Sequence, residues 1–256
     1  SQGYNVNNIV GIDQFGRTFD ITAGDKAGKQ IGMFYFLWLG HPLFSGVYDA
    51  TKISNEYGQD ALFHQTSDIS PEGQFHFWGE PLYGYYNSGD EYVIRKHIEL
   101  LIAAGVDFLV FDSTNAYTYD EVHQKIMKII DEYLKAGWNA PKVAFYTHSA
   151  SIRTATHLYE AIYKANYYPD TWYMVDGKPL IMAYTNPDDD IAESQSRGDN
   201  SYRAQGFPQE ILDFFTFKKP QWPFDPVYPE GFPWLEWIYP QPNHNGIMNV
   251  FVASHP

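Results

Sequence analysis

The chain has 256 residues, 44% of them hydrophobic, with no cysteine and a formal net charge of −14. That length and apolar content suit one large domain with a real core. The charge repels phosphate backbones and anionic membranes, and the missing thiols exclude disulfides, thiolate catalysis and cysteine-based zinc sites.

No apolar run approaches the roughly 18 residues that span a bilayer. The aromatic fraction is 18%, including 21 Tyr and 7 Trp, which suits a surface that stacks on ring-shaped ligands. The chain begins at Ser1, so an export signal already removed and a periplasmic or secreted location are expected.

Residues 1–30 are polar and Gly-rich and are expected to form an N-terminal segment packed on a single (β/α) domain over residues 31–256. The first strand is predicted over 31–38 and runs into Trp38 and His41. Residues 40–88 form a long segment carrying His41, His64, His76, Trp78, Glu80, Tyr83, Tyr85 and Tyr86. Loops of that length in a compact domain are functional or disordered, and its aromatic content predicts order.

A helix follows over 90–105, with Val93, Ile94, His97, Ile98 and Leu101 on one stripe and Gly105 placed to end it. His97 lies on the apolar stripe and is expected to be a packed core histidine. The second strand, 106–112, is apolar almost throughout and ends in Asp112, with Thr114 and Asn115 beyond it. Runs of this kind are buried on both faces, and functional groups at the C-terminal ends of parallel strands are the habit of a (β/α)₈ barrel.

The unit then repeats. A helix over 119–137 leads to a third strand over 142–148, which ends in Thr147, His148 and Ser149. A helix over 152–167 follows, then Asp176-Gly177, a tight-turn signal that predicts a short strand pairing back on strand four at 179–184. The acidic run Asp188-Asp189-Asp190 could bind calcium, but no full ligand loop surrounds it, and capping of a helix N-terminus is expected. A helix near 208–212, a fifth strand over 214–219, an irregular active-face loop over 220–237 and a sixth strand over 248–255 complete the chain. Six strands fall short of the eight that close a TIM-type barrel. Either two lie in segments assigned otherwise, or the barrel is incomplete at the C-terminus because the chain is the front part of a longer protein.

Several phrases carry a resemblance: Phe34-Tyr-Phe-Leu-Trp38, Gly105-Val-Asp-Phe-Leu-Val-Phe-Asp112, Asp176-Gly-Lys-Pro-Leu-Ile-Met-Ala-Tyr184 and Val250-Phe-Val-Ala-Ser-His-Pro256. Together they resemble the glycoside hydrolase superfamily that groups families 71 and 99 with related bacterial barrel proteins. The resemblance implies a (β/α)₈ barrel acting on glycosidic bonds and exported by bacteria that digest polysaccharides or host glycans. In family 99 the reacting carboxylates come late in the barrel, near a Trp- and Glu-rich segment. Glu236, between Trp234 and Trp237, is similar in its surroundings but precedes the sixth predicted strand.

Glycoside hydrolysis needs two carboxyl groups flanking the bond, with the acid's pKa raised by an apolar neighbour such as Trp. Asp112, Glu80 and Glu236 have that setting, and Asp188 is a fourth candidate. Asp112 could instead be a structural carboxylate that ties down its own loop. Trp38, Trp78, Trp222 and Trp234 are candidate sugar platforms, with one or two expected in the core. Asn115, His41, His148 and His255 could hydrogen-bond sugar hydroxyls. His41, His148 and His255 could instead form a metal site together, but their spacing matches no metal-ligand motif; no metal is expected, and no organic cofactor. Gly-x-Ser-x-Gly, Gly-x-Gly-x-x-Gly and Walker-type motifs are missing, and Lys218 or Lys219 as a Schiff-base lysine is a minor alternative.

The sequence therefore points to a hydrolase of a poly- or oligosaccharide. Asp112 with Glu80 or Glu236 would supply the chemistry, and Trp38, His41, Trp78, Asn115, His148, Trp222 and His255 would bind sugar. The alternative is a non-catalytic carbohydrate-binding barrel, or a fragment lacking the catalytic half.

Overall fold

The computed structural model describes residues 11–18, 28–40, 47–62, 66–67, 70–71, 79–236, 239–244 and 246–251. Of the residues singled out above, His41, His64, His76, Trp78, Trp237 and His255 lie outside them.

The chain order is β1 (Gly32–Tyr35), α1 (Ala50–Tyr57), β2 (Thr66–Ser67), β3 (Ser70–Pro71), α2 (Glu91–Ala103), β4 (Phe108–Ser113), α3 (Asp120–Lys135) and β5 (Lys142–Thr147). It continues with α4 (Ser151–Leu158), which runs on as one π-helical turn (Tyr159–Tyr163), then β6 (Met174–Val175), β7 (Lys178–Met182), α5 (Pro187–Ser196), α6 (Gln209–Phe214), β8 (Thr216–Gln221) and β9 (Gly231–Pro233). Among the described residues no helix is long and apolar enough to cross a membrane.

Among the described residues six strands pair in the order β1-β4-β5-β7-β8-β9, every neighbour parallel, and β6 adds to β7 antiparallel. Spatial order follows chain order with no reversal, which separates this sheet from a doubly wound one. Successive side chains along a strand point to opposite faces, and the burial follows that rule. Leu109, Phe111, Val143, Phe145 and Ile181 pack with α2, α3 and α4. Phe108, Val110, Ala144, Tyr146, Leu180 and Met182 form a second cluster on the other face, together with Phe34, Phe36, Phe232 and Trp234.

That inner cluster curls the sheet. Trp234 follows β9, yet its ring centroid lies 4.7 Å from that of Phe34 and 6.2 Å from that of Phe36, in and just after β1. It lies 5.1 Å from that of Tyr146 on β5. The first and sixth strands of the sheet thus share one interior. The architecture is an incomplete α/β barrel of parallel strands with its helices outside.

The helices follow their local signals. Asp90 caps α2 by accepting from the Val93 N–H at 3.2 Å, and Gly105 takes a left-handed φ of 71° after it. His97 is half-buried and bonded to the Tyr35 hydroxyl at 2.8 Å. Asp176 and Gly177 have φ of 52° and 79° in the β6–β7 turn, as a primed hairpin turn requires. Asp188, Asp189 and Asp190 occupy the first turn of α5, which Asn186 caps. Asp190 also reaches back to α4, where its carboxylate accepts from the N–H groups of Ser151 and Ile152 at 2.8 and 3.0 Å.

Two strand expectations need correction. The fifth strand is Thr216–Gln221 rather than 214–219, because Phe214 closes α6 and packs with Phe215 on the ring of Tyr163. The sixth is Gly231–Pro233, inside the segment expected to be an irregular loop, and it is only three residues long, ending on a proline. Met248 to Phe251 form no strand. Met248 and Val250 are 88% and 80% exposed, so that apolar run does not belong to the core.

Truncating Trp234 to Ala removes the contact that joins β9 to β1. The expected cost is on the order of 3–5 kcal/mol of unfolding free energy, measured by urea denaturation.

Candidate active site at the mouth of the parallel sheet

The C-terminal ends of β1, β4, β5, β7 and β8 open on one mouth. Among the described residues their loops hold four non-glycine residues with left-handed φ: Ala116 (63°) and Tyr119 (53°) after β4, Ala150 (48°) after β5 and Phe224 (73°) after β8. Such backbone costs of order 1–3 kcal/mol per residue and persists where the surroundings enforce it, often at functional sites.

Asp112, at the inward-facing end of β4, is 6% exposed. One oxygen accepts the Thr114 N–H at 2.9 Å, and the Thr114 hydroxyl and the Trp38 indole N–H also donate to the carboxyl. Burial outweighs these bonds and pushes its pKa above the ordinary aspartate value. The phenol of Tyr119 lies within range of its charge and is itself pushed up, first by burial.

Tyr146 ends the inner row of β5. Its hydroxyl donates to the Phe232 carbonyl at 2.8 Å and accepts the Gln221 N–H at 3.0 Å. Burial dominates the rise in its pKa, and the charges of Asp225 and Asp112 add to it. Both carboxylates therefore lie within electrostatic range of one buried phenol.

Asp225 sits in the loop between β8 and β9. Burial and then the charge of Glu193 raise its pKa, while Lys219 and Arg197 act the other way. Those cations are held in place. Arg197 pairs with Glu193 at 3.0 Å and lies over the Trp222 ring at 4.4 Å; Lys219 pairs with Asp189 at 2.9 Å and lies over the Tyr228 ring at 3.9 Å.

His148, two residues beyond Tyr146, is fully buried between Trp222 (4.0 Å) and Tyr184 (5.7 Å). Burial and the nearby Arg197 lower its pKa to about 3, so the ring is neutral. Glu193 is 3.5 Å from its Nε2, and neither ring nitrogen has a hydrogen-bond partner among the described residues.

The residues singled out from sequence thus separate into groups. Trp38, Asp112, His148 and Trp222 come together around the mouth, with Trp234 beneath them stacked on Trp222 at 5.7 Å. Trp222 is half-buried, and its ring already meets His148, Trp234 and Arg197. Glu236 is 4% exposed and faces His244 at 3.4 Å. Asn115 lies exposed on the loop after β4, and Glu80 is exposed on the segment before α2. Asp188 serves the N-terminus of α5. Lys218 pairs with Glu230, and Lys219 serves Asp189. Among the described residues no group of three ligating side chains converges on a metal position.

Sequence reasoning missed Asp225 and Tyr146. Asp225 carried a usable signal: it is an acid between prolines in a Trp- and Phe-rich loop already assigned to the active face. Tyr146 is two residues from His148, and strand alternation places both on the inner row.

No protein-family model and no curated protein matches the chain. Twelve chains of solved structure match it. Two are structures of the GH99 endo-alpha-mannosidase from Bacteroides thetaiotaomicron. The one in complex with bis-tris propane is 20% identical with a TM-score of 0.38, over 61% of this chain and 42% of that one. The other is 22% identical with a TM-score of 0.35, over 59% and 44%. A glycoside hydrolase-like protein is 15% identical with a TM-score of 0.34, over 57% and 47%. The chain matches less than half the length of each.

The raised pKa of Asp112 fixes the sign of a stability test. A carboxyl that holds its proton more tightly when folded favours the fold at low pH, and that contribution is lost as pH rises through the folded pKa. Asp112→Asn keeps an acceptor for the Thr114 N–H and removes the buried charge. It is expected to be more stable than wild type at pH 7, with the difference closing as pH falls toward the unperturbed value of about 3.9. Thermal melts across pH 3.5–7.5 measure this.

Proposed function

We propose that the chain is a carbohydrate-active hydrolase that cleaves glycosidic bonds of a poly- or oligosaccharide at this mouth. The observation that supports it best is a buried carboxyl, Asp112, held against a tryptophan indole at the end of an inward-facing strand row, with its proton affinity raised by burial. That is the environment a glycosidase gives its acid. The sequence resemblance described above points to the same chemistry.

In this reading Asp112 donates a proton to the leaving glycosidic oxygen as the bond from the anomeric carbon breaks. Asp225, half-buried and beside Lys219 and Arg197, is the partner carboxylate, attacking the anomeric carbon or drawing a proton from water. Water supplies the hydroxyl gained by one product, and its proton restores the acid. Burial raises the pKa of both carboxyls; only at Asp225 do cations, Lys219 and Arg197, act against the rise. Glu236 is the competing partner, and Trp38, Asn115 and Trp222 would position the sugar, with the fully buried His148 backing the Trp222 ring. His41, Trp78 and His255 keep the proposed sugar-binding role outside the described residues. Glu80, exposed in solvent, is the weakest candidate from the sequence.

A non-catalytic glycan-binding barrel is the second reading. The 2.9 Å bond from the Thr114 N–H favours it, since that bond would equally serve a carboxylate that only ties its loop.

Release of reducing ends from neutral gluco-, galacto-, xylo- and manno-oligosaccharides separates the two. Asp112→Asn is expected to lose about 10²–10⁴-fold in kcat, the scale of a missing general acid, and Asp225→Asn a comparable amount. Cleavage by Asp112→Asn at the wild-type rate would refute the assignment. An inactive Glu236→Gln beside an active Asp225→Asn would move the partner role to Glu236.

A further inference from the structure

We propose that a cavity between the loop after β4 and helix α4 is a binding subsite for a neutral saccharide unit, set beside the mouth. It rests on the carbohydrate reading above. The cavity has a volume of about 600 Å³, and Tyr117, Tyr119, Asp120, Glu121, Arg153 and His157 are among the residues that line it. That volume is within the range of small-ligand sites. Tyr119 is among the lining residues, and its phenol lies within range of the Asp112 charge at the mouth.

The cavity wall is built in advance. Ala116 and Tyr119 hold left-handed backbone within four residues of each other. Asp120 is clamped from three sides: one oxygen takes the Thr118 hydroxyl and the His123 Nε2–H at 3.1 Å, and the other takes the His157 Nε2–H at 2.7 Å. These bonds, that from His123 first, hold the Asp120 carboxyl well below the usual range. His157, half-exposed, makes this bond through Nε2 and keeps Nδ1 outside it. Arg153 lies over the Tyr202 ring at 5.3 Å.

The chemistry of the wall selects the ligand. Asp120 has little capacity left, so the groups able to meet a guest are the Glu121 carboxylate, the Arg153 guanidinium, the His157 Nδ1 and the Tyr117 ring, which is 56% exposed. One fork of acceptors and one fork of donors match the vicinal hydroxyls of a sugar ring, and an aromatic face matches its apolar side. Two carboxylates balance more than the one guanidinium, so a uronate or sulfate finds no excess of positive charge. The overall charge of −14 opposes anionic guests further.

The test is NMR titration of the full chain carrying Asp112→Asn with neutral gluco-, galacto-, xylo- and manno-tetraoses and with galacturonate tetramer. The Tyr117, Arg153 and His157 signals are followed. At least one neutral tetraose is expected to shift all three. Tyr117→Ala and Arg153→Met are each expected to weaken that binding about tenfold or more, with galacturonate tetramer leaving the signals in place. No shift with any neutral tetraose, equal binding of the galacturonate, or unchanged affinity in Tyr117→Ala would overturn the subsite. Tyr117 is an exposed loop residue, so its variant decides the matter if Arg153→Met does not fold. Shifted cavity signals in a chain whose wild type cleaves nothing would sink the hydrolase reading and leave the subsite standing. Loss of cleavage in Asp112→Asn with no cavity binding would do the reverse.

Discussion

The inner face of this sheet depends on where the Tyr146 hydroxyl goes. The side chain is fully buried, so its O–H and lone pairs must find partners or cost about 1–3 kcal/mol each. They find the Phe232 carbonyl and the Gln221 N–H, one on β9 and one at the end of β8. β5 is thereby tied to two strands that are not its neighbours in the sheet, which is possible only because the sheet curls. Trp234 then has Phe34, Phe36 and Tyr146 to pack against, and the rest of the inner cluster fills in around it.

The same arrangement sets the electrostatics of the mouth. The charges of Asp112, at the end of β4, and of Asp225, in the loop between β8 and β9, both act on the phenol of Tyr146, which burial keeps neutral. Asp112 is left in a dry pocket with an indole N–H and two Thr114 donors, whereas Asp225 has Lys219 and Arg197 in range. Burial raises both carboxyls, and cations oppose that rise only at Asp225. The neutral His148 and the cation-bearing face of Trp222 form the wall beside them.

Much of this was legible in the sequence because it is local. The apolar runs of β4, β5 and β7, the stripes of α2 and α3, the Asp176-Gly177 turn and the acidic first turn of α5 each announce themselves within a few residues. What failed was non-local or short. β9 is three residues ending on a proline and is defined by its pairing with β8, while the apolar run at 248–251 has strand composition but no partner among the described residues. Asp112 was identifiable from its place after an apolar strand. Asp225 depends on charges contributed by β8 and α5, and Asp120 meets His157 across 37 positions, so neither setting is written in a local pattern. Glu80 carried a local signal, its aromatic neighbours, yet it is exposed.

Whether Asp112 is a proton-holding acid or an ionised loop tie is the point on which the functional assignment turns. A ¹³C NMR titration of the Asp112 side-chain carboxyl in the intact chain measures it directly. The expected midpoint lies clearly above the value of about 3.9 for an unperturbed aspartate. A midpoint at or below that value would contradict it, leaving Asp112 a structural carboxylate held ionised by Thr114 and Trp38.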